Sequence, residues 1–466
     1  MSEIKFGTDG WRAIIAQEYT VDNVKRVAEA TAKWLIERGG NKVVIGYDCR
    51  FGGLLFTEVT TQVLGAHGIK VFLAPNFIST PMVSLGVVKM NADLGVVITA
   101  SHNPPSYNGF KLKSELGGPM IQSGISEVEA LIPDVASDLD LPSLEEMKAK
   151  GLLEYRDFEQ IYLDHVAAKY DLEAIRNSDI RIAYDGMYGA GQNAAKRLFP
   201  NAVLLHCEVN PSFMGQAPEP IHRNLSELSH LIANDPKITL GIANDGDADR
   251  IGMYDQDGNF VDSHHILLLL LLYMGKYRKE SGKVVVTFSV TDKMKKLAKH
   301  FGLDVEITPI GFKYIAEIMA KEDVIVAGEE SGGLAVKGHI PERDGLWIGL
   351  MILEFMAKTG KTIKTLIEEV YSLVGPFATD RDDLHITNEL KNQVIKTCKT
   401  NPYKSFGKYT VQSLETIDGF KFYLDEDKWV MIRPSGTEPV LRVYAQAPDS
   451  TEVRSILDAT RETLGV

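Results

Sequence analysis

Asn244-Asp245-Gly246-Asp247-Ala248-Asp249-Arg250 sets three carboxylates at alternate positions directly after the apolar run Leu240 to Ala243. In a tight loop Asp245, Asp247 and Asp249 can turn their oxygens onto one hard cation, and carboxylates with room left for water or phosphate suit Mg²⁺. A solvated acidic turn is the competing account, but three aspartates with small neighbours at a strand end favour the metal. An EF-hand is disfavoured because Ile251-Gly252-Met253-Tyr254 resumes a strand and no Glu follows at the closing position. A second segment, Thr99-Ala100-Ser101-His102-Asn103-Pro104-Pro105, places a serine after another apolar run, with prolines that forbid a helix and stiffen the loop. Taken alone it reads equally well as a capping serine beside an incidental histidine. The G-x-S-x-G elbow of a Ser-His hydrolase is missing. Lys111 lies near enough in sequence to reach the same site.

Two further loops carry weaker signals. Gly328-Glu329-Glu330-Ser331-Gly332-Gly333 offers a carboxylate and a hydroxyl of the kind that vicinal sugar hydroxyls need, although glycine turns with acids are common. Arg433-Pro434-Ser435-Gly436-Thr437 combines a guanidinium, two hydroxyls and a flexible glycine, a sensible cradle for a phosphate dianion. An ordinary Pro-Ser-Gly turn would look the same. Asp185-Gly186-Met187-Tyr188-Gly189-Ala190-Gly191 lacks the G-x-G-x-x-G spacing, so it reads as a strand-to-helix turn rather than a dinucleotide site.

The elements that must position these loops alternate. Short runs dense in valine and isoleucine, such as 43–47, 94–98, 182–184, 240–243, 284–286 and 324–327, end in glycine- or charge-rich turns. Asp48-Cys49-Arg50 is one such turn. Between them lie stretches of helical periodicity, including 21–37 and 56–67. Unalternating apolar strands suit parallel sheets covered on both faces, and ligands then sit beyond the carboxyl ends of the strands. The chemistry-bearing residues fall at those ends. The acidic stretch from Ile132 to Leu153, with Pro133 and Pro142, reads as a linker. The expected units are 1–140, 155–257, 258–374 and 377–466, the last mixing short strands with helices.

Size and composition bound the function. A chain of 466 residues exceeds what one core usually organises. With 44% hydrophobic and 24% charged residues it has an ordinary globular profile, and a net charge of −13 argues against a general nucleic-acid binder. A local arginine and lysine cluster could still take a small anion. Cys49, Cys207 and Cys398 fit neither a zinc spacing nor a disulfide framework. The N-terminus lacks a signal-peptide stretch, and the greasiest run, Ile266 to Leu272, is too short to span a bilayer and reads as a buried helix. A cytoplasmic protein without membrane contact is expected.

Five motifs in register resemble the α-D-phosphohexomutase family: Phe6-Gly7-Thr8-Asp9-Gly10-Trp11-Arg12, Thr99 to Pro104, Asp245 to Arg250, Gly328 to Gly332, and Arg433 to Pro439. The resemblance covers essentially the whole chain. It implies an α/β fold of three related α/β domains plus a smaller C-terminal α+β domain around a central active-site cleft. It implies that Ser101 is the phosphoserine, that it shares Mg²⁺ with Asp245, Asp247 and Asp249, and that Glu329 and Ser331 hold sugar hydroxyls. Arg433, Ser435, Gly436 and Thr437 would hold the non-reacting phosphate. Arg12, His102, Lys111 and Arg250 would surround the transferring phosphoryl group. The reaction implied is interconversion of hexose 1-phosphate and hexose 6-phosphate through a hexose 1,6-bisphosphate, by a monomer or homodimer whose partner is a small hexose phosphate.

One departure concerns specificity. Some bifunctional glucose/mannose mutases of the family have histidine directly after Ser-Gly in the sugar loop, where this chain has Gly333. Gly338-His339-Ile340-Pro341-Glu342-Arg343-Asp344-Gly345 looks more like the corresponding loop of phosphoglucomutases. His339 is then a candidate for proton transfer or phosphate contact and Arg343 for phosphate contact, with a structural loop role open for each. Thr308-Pro309-Ile310-Gly311-Phe312-Lys313 resembles a phosphoglucomutase specificity loop, with Gly311 turning the backbone near the sugar. Phosphoglucomutase, with or without phosphomannomutase activity, is the leading expectation. Phosphoglucosamine mutases of the family usually show Gln at the place of Glu330 and Val at that of Trp11, and form the alternative. A non-catalytic sugar-phosphate sensor would not require the intact Ser101, Lys111 and three aspartates.

Overall fold

The computed structural model describes residues 3–434 and 440–466. Its apolar runs form strands for the reason their composition suggests: they are buried on both faces. Leu94–Ile98, Leu240–Asn244 and Val324–Gly328 are buried at every position. Each lies inside a different sheet.

The first sheet runs in the order Trp11–Ile14, Tyr107–Ser114, Leu94–Ile98, Lys42–Tyr47, Lys70–Leu73, Leu153–Tyr155. Lys42–Tyr47 is parallel to Leu94–Ile98, which is antiparallel to Tyr107–Ser114. The second sheet repeats this device: Leu240–Asn244 pairs parallel with Ile182–Asp185 and antiparallel with Ile251–Tyr254. In the third, Val324–Gly328 pairs parallel with Lys283–Thr287 and antiparallel with Leu334–Val336. Three sheets thus turn from a parallel strand into an antiparallel one, and the three connecting loops hold Ser101, the aspartates and Glu329. The fourth sheet is wholly antiparallel, in the order Ala378–His385, Val440–Ala447, Trp429–Pro434, Phe420–Tyr423, Ser413–Glu415, with helices Asn388–Thr400 and Ser450–Leu464.

Helix boundaries follow local chemistry. Helix Val21–Glu37 starts where the Thr20 hydroxyl accepts from the Asn23 N–H, and helix Gly345–Thr359 where the Asp344 carboxylate accepts from Trp347. The run Ile266 to Leu272 lies in helix Ser263–Leu272 and is fully buried, joining the cores of the second and third sheets. Fully burying side chains of this kind contributes roughly 1.5–3 kcal/mol each. Among the described residues no helix is long and apolar enough to cross a membrane.

The stretch 132–153, expected as a linker, differs from that expectation. Helix Leu144–Ala149, closed by a Ser143/Glu146 capping box, buries Met147 beside Gly65, and strand Leu153–Tyr155 adds a parallel edge to Lys70–Leu73. Its one apolar anchor is too little to produce a visible period, so the acidic surface hid the element.

Candidate active site

The left-handed backbone of Ser101 (φ 52°) reverses the chain after Leu94–Ile98 and directs the side chain toward the aspartate loop. Such a conformation is uncommon for a residue with a Cβ and costs on the order of 1–2 kcal/mol, so the surroundings must hold it. Ser101 is buried; its hydroxyl donates to Asp245 Oδ2 at 2.7 Å and lies 3.3 Å from His102 Nδ1. Burial, with Arg250 and Arg12 nearby, pushes the His102 imidazole well below its ordinary value, so it is neutral.

The aspartate loop comes within contact of the serine loop because Gly246 lacks a side chain. A Cβ there would fall 2.4 Å from the Ser101 carbonyl oxygen. Ala248, at φ 57°, makes the reversal, its N–H donating to the Asp245 carbonyl at 3.0 Å. Arg250 N–H donates to Asp245 Oδ1 at 3.0 Å, and Asn244 Nδ2 to the Arg250 carbonyl at 2.7 Å. Asp245, Asp247 and Asp249 each offer an oxygen, all within 4.8 Å of one another and all buried. Burial and the charges of Asp249 and Asp247 raise the Asp245 carboxyl well above the carboxylate range. Asp247 Oδ1 and Asp249 Oδ1 are buried with no hydrogen-bond partner among the described residues. Orphaned carboxylate oxygens are costly without a cation, so the donor set fits a hard divalent ion.

Cations are gathered around the same carboxylates. Lys111 Nζ, on strand Tyr107–Ser114, lies 2.8 Å from Asp247 Oδ2, 3.2 Å from Asp249 Oδ2 and 2.7 Å from Asp9 Oδ2. Burial opposes its charge, but Asp247, Asp249 and Asp9 outweigh burial and raise Lys111 above its ordinary value. Arg343 Nη2 reaches Asp9 Oδ2 at 2.5 Å and Asp249 Oδ2 at 2.6 Å. Arg12 Nη2 is 3.6 Å from Asp9 Oδ2, and its Nη1 donates to Asn103 Oδ1 at 2.8 Å. Asp9 is therefore a hub for three cations, with Lys113 at 3.7 Å as a fourth. Against the effect of its own burial, Lys111, Lys113 and Arg343 hold Asp9 well below the carboxylate range. Arg250 points toward Glu219 at 3.7 Å, and its buried Nε has no partner among the described residues.

The loop 328–333 joins through its backbone: Ile251 N–H donates to the Gly332 carbonyl at 3.1 Å, and Arg250 bridges to Gly333. Glu329 lies 3.8 Å from Arg343 Nη1, and burial pushes its carboxyl up to about 7 against the pull of Arg343. The nearby Gly311 N–H, like Arg343, favours its charged form. Ser331 stands half-buried in the turn before Leu334–Val336. At Gly333 an added Cβ would fall 2.3 Å from Arg343 Cδ, so the Arg343 stem fills the room a side chain there would need. Arg433 donates to Asp418 Oδ2 through Nε at 3.2 Å, and Asp418 also accepts from Ile310 N–H at 2.9 Å. Ser435, Gly436 and Thr437 lie outside the described residues.

The structure therefore brings Ser101, His102, Lys111, Arg12, Arg343, Glu329 and the three aspartates together. It does not bring His339. That ring stacks on Trp347 at 3.8 Å, donates through Nε2 to Asp344 Oδ2 at 3.0 Å and lies 3.3 Å from His165 Nε2. Asp344 in turn caps a helix and accepts from Tyr162 at 3.0 Å. His339 is a packing residue between helices, since both its nitrogens and one face are occupied there, which corrects the expectation of a proton-transfer role. Sequence reasoning missed Asp9, Lys113, Asp48 and Arg50. Asp9 stands inside the first of the five motifs, and Asp48 and Arg50 inside a strand-end turn; the partners that give them a role, Lys111 and Arg343 for Asp9, Thr99 for Asp48 and the Ser101 and Asn103 carbonyls for Arg50, are too far away in sequence to suggest it.

Comparison with known proteins points the same way. Family models described as phosphoglucomutase/phosphomannomutase match in four parts: alpha/beta/alpha domain I over residues 3–138, domain II over 160–258, domain III over 262–374, and the C-terminal domain over 393–463. A protein of Methanosphaera stadtmanae named as a probable phosphoglucosamine mutase is 31% identical, covering 98% of each chain. The Thermococcus kodakarensis phosphoglucomutase/phosphomannomutase is 29% identical over 97% of this chain and 96% of its own. A solved structure from Thermus thermophilus, provisionally named a phosphomannomutase, superposes with a TM-score of 0.87 at 34% identity, covering 100% of both chains. Four matched domains in the order of the four larger sheets, together with relatives alike from end to end, place this chain in the α-D-phosphohexomutase family.

Proposed function

We propose that this chain is a phosphoglucomutase, with phosphomannomutase activity as a companion, that interconverts hexose 1-phosphate and hexose 6-phosphate through phosphorylated Ser101 and a hexose 1,6-bisphosphate. The observation that carries the reading is the Ser101 hydroxyl, buried 2.7 Å from Asp245, with Arg12 donating to Asn103 of the same loop and Lys111 and Arg343 on the neighbouring Asp247 and Asp249. Phosphoryl transfer asks for positioning and for neutralised oxygen charge more than for covalent help.

In the forward half-reaction a sugar hydroxyl oxygen forms a bond to the phosphorus as the phosphorus–Ser101 oxygen bond breaks, and the proton lost by the hydroxyl ends on the Ser101 oxygen, giving the bisphosphate and free serine. In the second half the bisphosphate, turned over, passes its other phosphoryl group to Ser101 Oγ. The neutral His102, 3.3 Å away, is a base within reach of the serine proton. Lys111 and Arg12 would offset charge on the transferring oxygens. Arg433, with Ser435, Gly436 and Thr437, would anchor the other phosphate, and Glu329, Ser331 and the Gly311 turn would face sugar hydroxyls. Asp245, Asp247 and Asp249 would hold Mg²⁺, which supplies charge neutralisation at the serine oxygen when bound. Closure around the bound substrate would keep water from the phosphoryl group.

Glucose phosphate is favoured because the 338–345 loop resembles that of phosphoglucomutases and Arg343 fills the space beside Gly333. Phosphoglucosamine mutase is the second reading, favoured by the name of the Methanosphaera relative. Turnover measured side by side on glucose 1-phosphate, mannose 1-phosphate and glucosamine 1-phosphate separates them. A tenfold or larger preference for the amino sugar overturns the first reading.

A further inference from the structure

We infer that Arg50 is the positioning residue for the reaction: it holds Ser101 in its left-handed conformation by gathering the carbonyls of the serine loop, without touching substrate. The inference rests on the reading of Ser101 as the phosphorylated residue.

A guanidinium has five N–H donors in a rigid planar fork. In this protein all five are engaged inward. Nε donates to Asp48 Oδ2 at 3.2 Å. Nη1 donates to the carbonyls of Pro104 at 2.8 Å and Tyr107 at 3.2 Å. Nη2 donates to the carbonyls of Ser101 at 2.5 Å and Asn103 at 2.6 Å. No donor remains for a ligand phosphate, which separates Arg50 from Arg12 and Arg250. Its face packs on the Phe213 ring at 5.0 Å, a contact from the second sheet's unit.

The other end of Ser101 is tied to the same pair. Its N–H donates to Thr99 Oγ1 at 2.9 Å, and the Thr99 hydroxyl donates to Asp48 Oδ2 at 2.5 Å. Asp48 also accepts the Arg50 backbone N–H at 2.9 Å. The peptide groups on both sides of the strained Cα therefore end on one ion pair whose side chains are wholly buried. Backbone torsions at residue 101 set where Oγ points, so this clamp aims the hydroxyl at Asp245. A buried charge pair of this kind is expensive to assemble, and hydrophobic residues could have filled the volume. What they could not do is satisfy four carbonyls converging from one loop, which a lysine ammonium could not do either.

The test uses the full chain with Arg50→Lys, Thr99→Val and Ser101→Ala. Each is incubated with glucose 1,6-bisphosphate, the phosphorylated fraction is counted by intact mass, and turnover on glucose 1-phosphate and on glucosamine 1-phosphate is divided by that fraction. A misplaced reacting atom costs about 10²-fold, so Arg50→Lys should lose about 10²-fold in kcat per phosphorylated chain with KM within threefold. Thr99→Val should lose about tenfold in the same sense. A role in folding alone would lower the phosphorylated fraction and Tm and leave turnover per phosphorylated chain at the wild-type value, which would overturn the inference. Should Arg50→Lys not fold, Thr99→Val decides, and turnover per phosphorylated chain within twofold of wild type overturns it. Label still gained by Ser101→Ala would bring down the phosphoserine reading and the inference with it, a result distinct from the first.

Discussion

The serine loop and the aspartate loop begin alike, each leaving a central parallel strand and returning antiparallel, yet they are held by different means. The aspartate loop braces itself: Ala248 and Arg250 donate to Asp245, and Asn244 closes on Arg250. From outside, three backbone N–H groups reach its later carbonyls, Ala190 to Gly246 at 2.9 Å, Thr80 to Asp247 at 3.0 Å and Gly345 to Ala248 at 3.1 Å, but none of them holds Asp245. The serine loop is braced from outside, by Asp48 and Arg50 at the end of the adjacent strand. A loop made of aspartates carries its own acceptors, whereas a Ser-His-Asn-Pro-Pro loop has carbonyls to satisfy and few donors of its own. The bracing of Asp245 can be read locally, and that of Ser101 cannot.

The largest expected effect concerns the serine loop. Ser101→Ala should lower turnover by about four orders of magnitude, since a covalent relay has no substitute, with Tm near wild type; near-normal turnover would remove Ser101 from the mechanism. Next comes the aspartate loop. Asp249→Asn weakens the cation site and leaves Arg343 and Lys111 with one carboxylate fewer, so it should cost about 10²–10³-fold in turnover. Isothermal titration with Mg²⁺ should show at least tenfold weaker binding, and unchanged affinity would place the cation elsewhere.

Asp9→Asn tests the hub that joins both loops. Removing one partner from buried charges costs about 3–5 kcal/mol, so thermal unfolding should begin lower by about 5 °C or more. An unchanged Tm would mean that Arg343 and Lys111 need only Asp249 and Asp247.

Glu329 supplies a pH dependence. Its carboxyl rises from an ordinary 4.5 to about 7 in the folded chain. The folded state then binds this proton more tightly than the unfolded one, so the contribution to stability is full below about 4.5 and is lost as pH rises to about 7. Linkage makes the swing on the order of 3 kcal/mol. Glu329→Gln should flatten that part of the Tm–pH curve, and a slope identical to wild type would refute the assignment. The smallest effect on catalysis belongs to His339→Phe, which keeps the stack on Trp347 and loses the Asp344 bond. Turnover within threefold of wild type with a lower Tm is expected, whereas a hundredfold loss would return His339 to the chemistry.

Much of this site was legible from residue order. Asp245, Asp247 and Asp249 announce themselves because their spacing is itself the geometry. Glu329 and Ser101 could be placed at strand ends, because buried strands are recognisable by their apolar density. Helix Leu144–Ala149 escaped, as it shows one buried side chain among charges. His339 misled, because a histidine in a glycine- and proline-rich loop looks the same whether it faces substrate or Trp347.

What the sequence by itself determined is which groups are available and that they fall at the carboxyl ends of buried strands in alternating α/β segments. Side-chain types, turn residues and apolar periodicity act over a few neighbours, and all of these follow from them. Only the tertiary structure decided that Asp9, Lys111, Asp249 and Arg343 share one cluster of charges, that Arg343 turns inward while His339 turns away, and that Arg50 clamps Ser101. Those contacts join residues far apart in the chain. Charges draw together strongly only where packing has already removed water, and that condition belongs to the docked units rather than to any segment of the chain.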